Sequence, residues 1–173
     1  MKNLIFLVTI LPALLLSQGH IDAFGKKIIY DIPDNDKWKI DQTVFVETMQ
    51  RRMISYKHIP IKDPLGRDIE PVIALIYEKL PSDSIDPILF SANKRIITRF
   101  DVDKVFGYED FKLKYRNTIG YYGHYDKVVI HNVIVAHMVY KDIGVQIICD
   151  STKDVYDQVK EDMELFVGSV EFE

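Results

Sequence analysis

The sequence predicts an α+β fold of about five to seven strands with two principal helices. Three stretches predict it. Residues 128–152 (VVIHNVIVAHMVYKDIGVQIICDST) read as two apolar strands around a short turn. Residues 72–77 (VIALIY) are apolar on both alternating faces, as in a strand that is covered on both sides. Beyond the hairpin, Val155, Val159, Met163, Phe166 and Val170 recur at helical spacing, which gives the last helix one apolar stripe to lay across it.

Residues 1–19 have the form of a secretory signal peptide. Lys2 supplies the charge, residues 4–16 the apolar run, and Ser17-Gln18-Gly19 the small cleavage-site residues. The run is shorter than the roughly 20 apolar residues of a spanning helix, although a retained anchor is the alternative. No cysteine stands near the cleavage point, so a lipoprotein anchor is not supported. The expectation is export to a periplasmic or extracellular location, with no membrane span after cleavage before His20. Residues 20–173 are then a single domain, long enough for a sizeable core.

The formal charge of −4 becomes −5 without Lys2, and no basic block appears, which disfavours a nucleic-acid partner. Cys149 is the only cysteine, so no intramolecular disulfide forms. Within VQIICD it reads as a small buried hydrophobe.

In chain order, residues 24–32 are expected to form a first strand, residues 33–36 a turn, and Trp38 a core anchor. Residues 44–59 read as one or two strands ending at Pro60, with Arg51 and Arg52 limiting burial. KDPLG at 62–66 is a turn. Asp86-Pro87 opens a helix that runs to about Phe100, with Leu89, Ala92, Ile96 and Phe100 as its apolar stripe.

Residues 101–110 read as loop. Residues 111–119 (FKLKYRNTI) alternate as a half-buried strand, with Lys112, Lys114 and Arg116 on its outer face. Those cations are a solvated face or a stripe for an anionic partner. GYYGHY at 120–125 reads as a loop, in which Tyr121, Tyr122, His124 and Tyr125 cap the core or form the best candidate contact patch.

A three-residue hairpin turn with Gly144 left-handed sets His137 opposite Cys149; a slip of one residue sets it opposite Ile148, and both registers stay open. Ser151 with Asp154 resembles a capping box for the last helix, whose acidic residues form a solvated face. If His137 faces Cys149, the pair is a nucleophile with its base, part of a metal site, or a hydrogen-bonded histidine beside a buried thiol. The apolar surroundings offer no positive field to lower the thiol pKa. Metal-ligand spacings, phosphate loops and nucleophile elbows are absent from the sequence, and no cofactor is expected.

The C-terminal residues carry a resemblance. Residues 134–140, Gly144, residues 145–150 with Ser151-Thr152, and Ser169-Val170-Glu171-Phe172 resemble the strand, turn, strand and closing helix of PsbP-like proteins, which share a fold with Mog1. Pro33 and Trp38 resemble the family's start. The resemblance implies an α/β/α sandwich around a mainly antiparallel sheet, and it carries over no catalytic residues, because family members are mostly non-enzymatic. The expected function is an exported, non-enzymatic accessory or binding domain whose partner is another envelope or secreted protein. The alternatives are a small enzyme or metal protein using His137 and Cys149 with Asp150 or His131, and a carrier of a small apolar ligand between sheet and helix.

Overall fold

Side-chain alternation along the strands decides what each face of this protein meets. The computed structural model describes residues 17–41, 50–81 and 85–173. Among them the order is β1 (Ser17–Ala23), β2 (Lys26–Ile32), β3 (Trp38–Ile40), β4 (Arg51–His58), β5 (Ile61–Lys62), β6 (Asp68–Ile69), β7 (Val72–Lys79), α1 (Pro87–Ile97), β8 (Asp101–Phe106), β9 (Thr118–Asp126), β10 (Ile130–Tyr140), β11 (Ile143–Thr152), α2 (Lys153–Ser169) and β12 (Glu171–Phe172). Seven strands form one open antiparallel sheet in the order β3-β4-β7-β11-β10-β9-β8, and β1-β2-β12 form a smaller one.

The fold class is therefore α+β; β7 lies inside the large sheet as expected, and the β10–β11 hairpin stands beside it. Ile134, Ala136 and Met138 of β10 share one core with Val159, Met163 and Phe166 of α2. Val139, one residue out of phase, packs with Phe90 of α1. The two helices thus lie against opposite faces of the sheet.

The apolar stripe of α2 is buried throughout, and β2 closes over the helix from its other side. Tyr30 of β2 and Tyr56 of β4 join hydroxyls at 2.8 Å, with the Phe166 ring 5.1 and 6.0 Å from theirs. Trp38 is buried and its indole N–H donates to Asp162 of α2 at 2.9 Å. The N-cap of α2 is Thr152, without a side-chain cap bond, rather than Ser151.

Several expectations are corrected. The first strand is a hairpin: β1 pairs with β2 through a turn at Phe24 (φ +55) and Gly25 (φ +79). The expected signal segment lies outside the described residues up to 16, while Ser17, Gln18 and Gly19 pair with Ile32, Asp31 and Tyr30. The early part of the expected 44–59 strand, residues 44–49, also lies outside them.

Residues 101–106 are an edge strand rather than loop, and their charged composition is usual at an exposed edge. Residues 111–117 are irregular rather than a strand; they cross the end of α2, where the Lys114 amide donates to the Gly168 carbonyl at 2.9 Å. GYYGHY is not a loop but the middle of β9, paired on both sides.

The α1 start is as expected, with the Asp86 carboxylate accepting from the Leu89 amide at 2.8 Å and Pro87 in the first turn. Its orientation is reversed. Phe90 and Ser91 face the sheet, while Leu89, Ala92 and Ile96 face outward.

Candidate functional site

α1 covers only part of its side of the sheet, and beneath it lies a polar chain. His137 is fully buried on β10, with Nδ1 2.9 Å from the Ser91 hydroxyl and Nε2 3.1 Å from the Gln146 amide nitrogen. The same amide donates to Thr98 Oγ1 at 3.1 Å. An amide nitrogen only donates, so Nε2 is the acceptor, and the neutral ring carries its proton on Nδ1, where it donates to Ser91. Ser91 also meets the Tyr121 hydroxyl at 2.7 Å. These bonds satisfy a buried polar helix face, and Gly144 leaves room there for the Phe90 ring.

Burial, with Lys94 and Arg95 nearby, lowers the His137 pKa to about 4. A depressed imidazole pKa adds stability that is present above the unfolded-state value of about 6.5 and is lost as pH falls through 4. Urea melts should therefore show a loss on the order of 3 kcal/mol between pH 7 and pH 4 that is absent from His137→Gln. Exposed His124, raised by its hydrogen bond to Asp103, acts in the opposite direction and is common to both proteins. Identical pH profiles for the two would contradict the assignment.

Beyond the end of α1, Phe100 and Tyr125 pack against the same face. Val133, Val135 and Ile148 floor a cavity of about 230 Å³, walled by Thr98, Arg99 and Phe100 and bordered by Tyr125 and Asp150. The sheet brings three polar side chains together at this border. His131 and Tyr125 are cross-strand partners whose rings stack at 4.8 Å and 16°. The Asp150 carboxylate accepts from the Tyr125 hydroxyl at 2.5 Å and from His131 Nδ1 at 2.7 Å.

Burial and the Asp150 carboxylate raise the Tyr125 pKa, so the hydroxyl keeps its proton and remains a donor. Asp150 accepts the proton that His131 carries on Nδ1, which holds the imidazole in its orientation. The arrangement combines an apolar floor with oriented polar groups at its border, the usual make-up of a small-molecule site.

The residues singled out from the sequence disperse. Tyr121 and Tyr125 point to the α1 side, Tyr122 and His124 to the other. Tyr121 is buried under α1, Tyr122 donates to Glu164 at 2.8 Å, and His124 lies 2.9 Å from Asp103. Lys112, Lys114 and Arg116 do not form a strand-borne stripe. Lys114 reaches Asp31 and Glu171 at 3.4 and 3.5 Å, Arg116 lies over the Tyr108 ring, and Lys112 lines a separate groove of about 520 Å³ with Phe111 and Leu165.

His137 and Cys149 do not meet. His137 pairs with Gln146 and Cys149 with Ile134, on opposite faces of the sheet. The Cys149 thiol is fully buried and its pKa is raised by burial. Among the described residues no cluster of three or more His, Cys, Asp or Glu side chains is placed to hold a metal ion. Of the weaker sequence candidates, Asp150 and His131 are the two that come together; with the observed register in hand, Tyr125 opposite His131 completes the group.

No family model matches the chain, and no curated protein sequence matches it. Among solved structures, the fold is similar to that of LpqN, described as involved in cell envelope biogenesis of Mycobacterium tuberculosis. The TM-score is 0.55 at 14% identity, over 91% of each chain. That likeness is one of fold.

Proposed function

We propose that this chain is an exported, non-enzymatic accessory domain of the cell envelope that binds a small, mainly apolar molecule in the cavity beyond the end of α1. The observation that carries this reading is the cavity beyond the end of α1, lined by the apolar sheet residues Val133, Val135 and Ile148. Arg99 at the wall and the His131–Asp150–Tyr125 group at the border would receive a polar end of the ligand. With Tyr121 buried and GYYGHY paired in the sheet, the tyrosine-loop contact with a protein partner loses its basis, and the small-ligand alternative gains.

Export is supported by the signal-like N-terminus, and an envelope setting by the role printed for LpqN. The antiparallel sheet with helices against both faces supports reading the fold as an α/β/α sandwich of the PsbP and Mog1 type. Among the described residues no helix is long and apolar enough to cross a membrane.

Octanoate, an apolar chain with a single carboxylate, is a suitable probe. Titrated into the labelled protein, it should shift the NMR amide signals of Arg99, Tyr125, Val133, Val135 and Ile148 most. Ile148→Phe, which fills the cavity floor, should weaken binding at least tenfold while the melting curve stays close to wild type. Shifts that fall elsewhere, or equal binding by Ile148→Phe, would reject the site.

A further inference from the structure

The outer face of α1 has no cover among the described residues. Ile88, Leu89, Ile96 and Ile97 are 70%, 52%, 75% and 73% exposed, and Ala92 continues their stripe. The other side of the helix is fixed to the sheet by Phe90 and Ser91, so no rotation of α1 would bury the stripe without breaking the Ser91–His137 bond. The charge on the helix and its C-terminal turn is basic, between the flanking carboxylates of Asp86 and Asp101. From residue 87 to residue 100 the chain has Lys94, Arg95 and Arg99 and no acidic residue, within a protein of net charge −4. Lys94 is tied to Glu78 and the Arg95 guanidinium lies over the Tyr121 ring at 5.0 Å, while Arg95 and Arg99 both keep exposed surface.

We propose that this face docks on an anionic lipid surface, with the isoleucines and Leu89 entering the headgroup boundary and Arg95 and Arg99 meeting lipid phosphates. An apolar stripe beside arginines is the pattern of helices that lie in a membrane interface. A second copy of the chain suits the patch less well. A helix of 11 residues is only about 16 Å long, and one face of it falls short of the roughly 800 Å² that each partner buries in a standard protein interface. The inference shares Arg99 with the cavity reading but rests on the exposed stripe, and it stands without a ligand there.

The test is flotation of the full chain with vesicles of equal phosphatidylglycerol and phosphatidylethanolamine, beside vesicles of phosphatidylcholine alone. Wild type should float with the anionic vesicles and lose this binding as salt rises. Ile96→Asp and Ile88→Asp, at exposed positions where the fold should be unaffected, should each bind at least tenfold more weakly. Both variants keep the apolar residues 4–16, so equal flotation of variants and wild type would assign the binding elsewhere and overturn the proposal.

Ile96→Trp gives a second readout. Its emission should shift to the blue with anionic vesicles, and an unchanged spectrum would contradict insertion. A dimer in light scattering that Ile96→Asp dissociates would also overturn the proposal, because the face would then be a contact between copies.

Discussion

Phe166→Ala should lower the unfolding free energy by about 3–5 kcal/mol, a large share of the 5–15 kcal/mol of a typical domain. Phe166 is fully buried and stands where three parts of the fold meet: α2, β2 through Tyr30, and β4 through Tyr56. The two tyrosines bond to each other, which limits how far they can close a cavity. Leu89→Ala is the matched control. It also removes an aliphatic or aromatic side chain from a helix, but from an exposed face, and should change stability by less than about 0.5 kcal/mol. Urea denaturation of the three proteins measures both effects. A Phe166→Ala loss under about 1 kcal/mol would mean that the small sheet does not close on α2 as described.

Native Cys149 should react with a thiol reagent on the order of a thousandfold or more slower than in the unfolded chain. The side chain is fully buried on the α2 side of β11, a strand held between β7 and β10, so exposure requires the middle of the sheet to open. Burial also raises the thiol pKa, which lowers the thiolate fraction in any partly open state. As the only cysteine, it gives an unambiguous signal. Native labelling within tenfold of the unfolded rate would contradict this placement and reopen a chemical role for the thiol.

What was legible in the sequence divides along physical lines. The α2 stripe was readable because every member of it is apolar and buried against one surface. The α1 stripe misled for the opposite reason. The face of α1 that meets the sheet uses Ser91 to satisfy His137, so hydropathy alone inverts the helix. Register failed at one residue. Gly144 invites a left-handed turn assignment, yet the observed turn places Lys141 at φ +54, and Gly144 sits in β11 where a side chain would strike Phe90. A glycine required for clearance and one required for backbone conformation look alike in a sequence.

The difference moved the partner of His137 from Cys149 to Gln146, an odd shift, which sends His137 and Cys149 to opposite faces. The His131–Asp150–Tyr125 group depends on the same register and stayed hidden for the same cause. GYYGHY had the composition of a loop, but Gly123 lies where the Asp101 carbonyl approaches the strand, so its glycine also serves clearance.

The most direct test of the binding reading is native mass spectrometry of the chain recovered from the cells that make it, beside Ile148→Phe produced in the same way. The reading predicts that wild type carries a small-molecule adduct, released on denaturation, and that Ile148→Phe is folded and bare. Wild type at the mass of its polypeptide alone, or the same adduct on both proteins, would contradict it.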